Sequence, residues 1–423
     1  MKRTNTNLTR NLSIAGCLIV QLCVGIIYLW SVFRAQVAVS YGCSPDTLSM
    51  VSSYMLLAFV VGCLLGGILV DHKGPRFSCL TGVVIFSAGI AATAVLTPKT
   101  ISLINLTYAT LGGLGSGIAY SACLNCIQKW LFDRRGLATG LAVSSFGLST
   151  VVFTPVSKML MELCTARNTG LVNFQAVFFI LAVVFLISGI TGCLMIRRAS
   201  FSPVKKDPIT QAKFDLPLGA AVRTSAFWCI FFNVFFINGT WNLSVPVLYD
   251  LGLERGLSSS AATFAVSFTG IANTAGRLIM AAISDKLGRR RCICALSVMT
   301  AAAALMMIFV RGYAYIIAVA VIAFAYGGPS SINAAMTTDY FGSRSSGTNY
   351  GVIMLALGLS SLFYNLLSST VLDGNISLSF AVAAFSSLIP LALMAAIGNP
   401  LAAAAKQPIR IHTVHSRVFF HGA

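Results

Sequence analysis

The sequence predicts an all-α polytopic membrane protein with 12 transmembrane helices in two pseudo-symmetric six-helix bundles. Three observations predict it. The 423 residues are 57% hydrophobic and only 9% charged, where soluble domains carry about a quarter charged residues. The apolar residues form long continuous runs without alternation, which selects helices that cross ~30 Å of hydrocarbon and excludes a β-barrel. The two halves also repeat one another. Gly136, Gly140, Gly147, Leu148 and Ser149 recur as Gly347, Gly351, Gly358, Leu359 and Ser360 at a constant offset of 211, and GGILVDHKGPR (66–76) is answered by MAAISDKLGRR (280–290). Such a parallel duplication predicts bundles related by an axis along the membrane normal, with a site between them.

The run 12–34, behind Lys2, Arg3 and Arg10, is too long for the apolar core of a signal peptide and reads as a retained first span. Spans 2 to 6 follow at roughly 48–70, 78–97, 101–127, 137–160 and 174–196. The second half gives spans 7 to 12 at 225–249, 261–283, 292–310, 313–338, 347–371 and 376–398. This divides the chain into a first bundle (1–197), a polar basic linker (198–222), a second bundle (223–399) and a tail (400–423). Loops on the face shared by both termini and the linker carry 22 Lys and Arg, and the opposite loops carry 6. That bias predicts a multi-pass cell-membrane protein with both termini cytoplasmic. It also explains the +18 net charge without a nucleic-acid partner.

Several chemistries are excluded by residue type. Gly112, Gly113, Gly115 and Gly117 in span 4 are followed by no Lys-Ser/Thr pair, so they read as close helix packing and not as a phosphate loop. Cys123 and Cys126 have CxxC spacing without a second pair, and the twelve cysteines read mostly as small apolar residues of helices. His412 and His415 lie in a basic tail. No catalytic constellation is present, so neither an enzyme nor a cofactor or metal is expected, and the expected state is a monomer in the lipid bilayer.

One charge stands out. Arg277 lies inside span 8, eight residues before Asp285, which places it ~12 Å from the helix end and near mid-membrane. An arginine there costs from ~2.5 to ~17 kcal/mol unless it faces protein or a wet cavity. Gly270, Asn273, Thr274, Arg277 and Ala281 form one small polar stripe at helical spacing. All eleven acids fall in loops or at span ends, so Arg277 has no apparent protein counter-ion. A bound anion is the partner that this pattern predicts, and the missing carboxylates predict exchange over proton relay.

The stretch Gly67-x3-Asp71-x2-Gly74-x-Arg76 after span 2 resembles the signature of the major facilitator superfamily, and Asp285, Gly288, Arg289 and Arg290 after span 8 repeat it. The resemblance implies gating motifs, in which basic residues bridge to the neighbouring bundle. A narrower resemblance, to the oxalate/formate antiporter family, rests on Tyr28-Leu-Trp30-Ser31, on Lys129-Trp130-Leu-Phe132-Asp133-Arg134-Arg135-Gly136-Leu137, on Gly276-Arg277 and on Asn349-Tyr350-Gly351. It implies a transporter of small carboxylates with Arg277 as anion ligand and Tyr28, Tyr120 and Tyr326 around it; Asn273 is a further candidate donor from the stripe. The oxalate transporter's second cation, a lysine of span 11, falls on Leu357, which implies a monocarboxylate such as pyruvate, lactate or formate. Competing readings are a proton-coupled symporter, a carrier of neutral or zwitterionic solutes with a structural Arg277, and a membrane sensor, for which the tail offers little output segment.

Overall fold

The computed structural model describes residues 2–43, 48, 50–166, 170–199, 215–244, 248–371 and 375–397. Most of the linker (200–214) and the tail 400–423 lie outside the described residues. The described chain is helical, with one isolated bridge between Thr165 and Val172. Eleven of the described helices are long and apolar enough to cross a membrane. The twelfth, Gly112–Trp130 of span 4, is buried along nearly its whole length. It meets little lipid and can carry glycine, serine, asparagine and glutamine instead of leucine. Its glycines pack as expected: a Cβ on Gly113 would strike the carbonyl of Met55 in span 2, and one on Gly115 would strike the Phe86 backbone in span 3.

Spans 2, 3 and 6 are Val51–Lys73, Pro75–Ala94 and Phe174–Met195, and span 5 is Arg135–Leu163. Spans 8 to 12 are Ser259–Leu287, Arg289–Phe309, Ala314–Phe341, Ser346–Thr370 and Ile376–Ala396. Three spans differ from the continuous helices expected: span 4 starts with a 3-10 turn (Ile101–Leu103) and a π-helical stretch (Asn105–Leu111), and spans 1 and 7 break. Span 1 begins at Lys2, stops at Val24, passes through a tight 3-10 turn (Ile26–Leu29) and resumes as Trp30–Tyr41. Span 7 breaks between Ser225–Ile237 and Gly239–Ser244. Each break sits on a glycine pressed against a partner span. A Cβ on Gly25 would lie 2.7 Å from Ser149 Cβ in span 5, and one on Gly239 would lie 2.7 Å from the Tyr364 hydroxyl in span 11. Freed backbone groups at such breaks are tolerated because neighbouring helices surround them. Ser360 of span 11, for example, donates to the Phe235 carbonyl at 2.7 Å.

The bundles meet along two seams, span 2 on span 11 and span 5 on span 8. Both are tightest at the face that carries the Asp71 and Asp285 loops, called the basic face below. Along span 11, a Cβ at Gly347 or Gly351 would meet span 2 at 2.7 Å, whereas at Gly358 the gap relaxes to 3.5 Å. Along span 8, the stripe touches span 5 at Ala281, Arg277 and Thr274, but a Cβ at Gly270 meets nothing within 4 Å. Both seams are therefore tight at the basic face and loosen toward the opposite face, the one between spans 5 and 8 the more so. In the first bundle, Cys79 Sγ lies 3.6 Å from Cys123 and 3.3 Å from Cys193, all three buried, so these thiols act as small packing groups among spans 3, 4 and 6.

Close packing of span 8 on span 10 also depends on Gly276, whose added Cβ would strike the Phe324 carbonyl. Gly276→Ala is expected to destabilise the folded protein by ~1–3 kcal/mol through overpacking. Gly270→Ala, in open space, is expected to be neutral or slightly stabilising, because alanine is the better helix former. Thermal unfolding in detergent checks the pair, and equal midpoints would contradict the packing described.

Candidate functional site

Arg277 is buried, 5% exposed, where span 8 crosses span 5. Its position follows from two glycines. Gly276 brings the helix onto span 10, and Gly147 of span 5 leaves room for the guanidinium, since a Cβ there would sit 3.0 Å from Nη1. Nη1 donates to the Val143 carbonyl at 2.9 Å, and Nε has no partner. Among the described residues Arg277 makes no ion pair; the ion pairs within 4 Å all lie at the basic face. A guanidinium offers five donors, so most of its capacity is unspent.

It faces a cavity of about 50 Å³ between the bundles. Against the roughly 30 Å³ that a water occupies in the liquid, this admits a molecule of a few heavy atoms. Phe59, Tyr120 and Phe146 line it from the first bundle, and Tyr326, Asn238 and Leu357 are among the residues from the second. The rings of Tyr120, Phe59 and Phe146 pack together with centroids 5.2–5.5 Å apart. Tyr326 stacks on Trp241 of the broken span 7 at 4.8 Å and 13°. The site is thus one cation and a few polar groups set in aromatic and aliphatic walls, the composition of a small-ligand pocket.

Of the candidates read from the sequence, Arg277, Tyr120 and Tyr326 come together on this cavity. Asn273 does not line it. Its Oδ1 is buried without a partner, beside Gly327 of span 10, one turn from Arg277. Tyr28 lies in the 3-10 turn Ile26–Leu29, and its side chain is outside the described residues. Residues that sequence reasoning missed include Phe59 and Phe146, whose apolar character gave no signal. Tyr350 was quoted only as part of a motif; it lines the cavity and its hydroxyl reaches toward the Ser330 carbonyl at 3.4 Å.

At the basic face the two motifs make one contact twice. Asp71 accepts hydrogen bonds from Thr348 N and Thr348 Oγ1, both at 2.8 Å, and from Gly347 N at 3.4 Å. Asp285 accepts from Gly136 N at 2.8 Å and Leu137 N at 2.9 Å. Each carboxylate therefore caps the first turn of a helix in the other bundle, where unpaired N–H groups and the helix dipole favour negative charge. The receptor positions 136–137 and 347–348 are themselves related by the offset of 211. Gly67 fits because a Cβ would strike the Gly347 carbonyl, and Gly74 and Gly288 turn the chain at φ 88° and 91°.

The basic residues of the motifs do not make the expected bridges. Arg76 is exposed, and Arg290 donates to the Met394 carbonyl of its own bundle at 2.7 Å. Arg289 pairs with Asp285 at 2.6 Å and with Asp339 at 3.0 Å, also within its own bundle. The cation that crosses the seam is Arg135, 3.0 Å from Asp339. Asn125 to Ser346 at 2.8 Å and Thr338 to Gln128 at 2.9 Å add crossings between spans 4 and 11 and spans 10 and 4.

A sequence profile of the Major Facilitator Superfamily matches residues 15–364 and, in a second match, 230–410. The chain is 25% identical to the uncharacterized MFS-type transporter YhjX of Escherichia coli, over 86% of this chain and 88% of that protein. It is 26% identical to the oxalate:formate antiporter of Oxalobacter formigenes (87% and 86%) and 21% identical to apicoplast pyruvate carrier 1 of Toxoplasma gondii (85% and 83%). Among solved structures, the transporter FucP in its outward conformation superposes with a TM-score of 0.70 at 13% identity, over 92% of this chain and 99% of that one. That likeness is one of fold.

Asp71→Asn and Asp285→Asn are each expected to loosen the seam that their carboxylate caps. A charged cap is worth ~1.5–3 kcal/mol and an amide retains part of it, so amide hydrogen exchange in the first turn of span 11 or span 5 should rise about tenfold. Exchange unchanged in both variants would show that these caps do not hold the seams.

Proposed function

The chain belongs to the major facilitator superfamily, and on that premise we propose that it carries a small organic monocarboxylate across the membrane by alternating access, working mainly as an exchanger. The observation that supports this reading is Arg277, a buried cation that among the described residues has one hydrogen bond and no ion pair, facing a cavity of about 50 Å³. A carboxylate offers what the guanidinium lacks, a negative charge with two oxygens matched to its fork of donors. Tyr120 and Tyr326 line the same space. Leu357 puts an aliphatic wall where a dianion would need a second cation. The relatives named for oxalate and formate and for pyruvate carry small carboxylates, and they agree with this substrate class.

The proposed cycle uses both seams. The basic face is taken as cytoplasmic, from the excess of Lys and Arg in its loops. The described conformation, tight at the basic face and looser opposite, then faces outward. Substrate entering from outside pairs with Arg277, and release to the cytoplasm requires the Asp71 and Asp285 caps to break while the outer ends of the seams close. The bodies that rock are taken as residues 1–197 and 223–399, joined by 198–222.

Arg277→Gln removes the charge and leaves a polar side chain in its place. It is expected to lower uptake of the preferred member of a formate, lactate and pyruvate panel by ~10²-fold or more in proteoliposomes, with folding and yield preserved. Losing one partner of a desolvated charge pair costs ~3–5 kcal/mol. Wild-type uptake by the folded variant would end the anion-site reading.

A further inference from the structure

A second pocket, of about 420 Å³, opens on the basic face where spans 2, 4, 5, 10 and 11 converge. Four cations line it: Lys129 and Arg135 from the first bundle, Arg198 at the start of the linker and Arg344 from the second bundle; the carboxylate of Asp71 shares the lining, and that of Asp215 accepts from the N–H groups of Ser343 and Arg344 beside it. Asp71 is spent on the first turn of span 11, and Arg135 is paired with Asp339. Lys129, Arg198 and Arg344 make no ion pair within 4 Å among the described residues. Gln128 also lines the pocket and is 5% exposed; its Oε1 accepts from Thr338, and its Nε2 is buried with no partner. Three cations outside any ion pair outnumber the nearby carboxylates of Asp71 and Asp215, both of which act on Lys129, and their convergence in one concavity concentrates positive potential.

We propose that this pocket binds a free oxyanion of charge −2 or more, phosphate being the simplest, and that the occupant holds the basic-face seam shut. The charge balance favours a multivalent anion over the monoanion that suits Arg277. The geometry supplies the coupling: Lys129 and Arg135 belong to the first bundle and Arg344 to the second, so these cations converge only while the seam is closed. A ligand that binds one conformation better shifts the population toward it. With the basic face cytoplasmic, as taken above, the site is a cytosolic brake on the carrier. Binding itself rests on neither that orientation nor the carboxylate reading.

Inorganic phosphate is the probe, titrated calorimetrically at low ionic strength into the full chain in phosphatidylcholine nanodiscs. Wild type is expected to bind one phosphate per chain. Arg198→Gln with Arg344→Gln, both exposed and harmless to packing, should weaken binding about tenfold or more, at up to ~1 kcal/mol for each exposed charge contact. Arg277→Gln should bind phosphate as wild type does. Phosphate should also slow amide exchange in the first turns of spans 5 and 11, a readout that needs no transport. No binding, binding lost with Arg277→Gln, or binding unchanged in the double variant would each overturn the proposal. So would phosphate that fails to bind while phosphatidic acid in the disc slows the same amides, since the source would then be a lipid headgroup.

Discussion

A guanidinium buried between two bundles with one carbonyl for a partner is the interaction on which the rest of this molecule turns. Taking a charge out of water is costly, and the cost returns only through pairing and hydrogen bonds. Here Val143 O supplies part of that return at 2.9 Å, and the cavity beside Arg277 leaves room for the rest. Glycines at 147, 276 and 327 let spans 5, 8 and 10 approach closely enough to enclose the charge. The same economy explains why the wall opposite is aromatic and aliphatic: a low-polarity surround strengthens whatever electrostatic contact the guanidinium makes.

The second constraint is that two bundles must separate and rejoin at one face without leaving polar groups unsatisfied. The structure meets it by sharing helix termini across the seam. Unpaired N–H groups at the starts of spans 5 and 11 are satisfied by Asp285 and Asp71 of the opposite bundle. At the basic face these groups can exchange partners with water when the seam opens, so the contact is reversible. The two halves are not equal. Asp285 belongs to an ionic chain with Arg289, Asp339 and Arg135, whereas Asp71 works with the hydroxyl of Thr348. One latch thus belongs to a chain of ion pairs, and the other sets its carboxylate on neutral donors.

Much of this was legible in the sequence. Span number and fold class followed from apolar run length, and Arg277 was conspicuous because a lone charge in such a run is expensive. The glycine pairs at offset 211 marked the repeat, and the first of them, Gly136 and Gly347, proves to receive the caps, which spacing alone did not reveal. What sequence could not supply was partnership across the seam. Arg76 and Arg290 hold the same place in their motifs, yet one is exposed and the other donates to the Met394 carbonyl. The breaks at Gly25 and Gly239 were hidden for a related reason: their apolar composition is that of continuous helix, and it is contact with Ser149 and Tyr364 that depends on glycine there. Phe59 and Phe146 read as ordinary span residues until the fold placed them on the cavity.

The central claim, that Arg277 is completed by a substrate anion, is tested most directly by efflux from proteoliposomes loaded with labelled carboxylate, with pH and voltage clamped. An empty carrier must move its cation through an occluded state without that anion. The ~3–5 kcal/mol cost of an uncompensated buried charge is offset in part by Val143, whose hydrogen bond to a charged group is worth ~1.5–3 kcal/mol. At mid-range the remainder is ~2 kcal/mol, which predicts that external substrate accelerates efflux by about tenfold or more. Efflux at the same rate with and without external substrate would contradict the account.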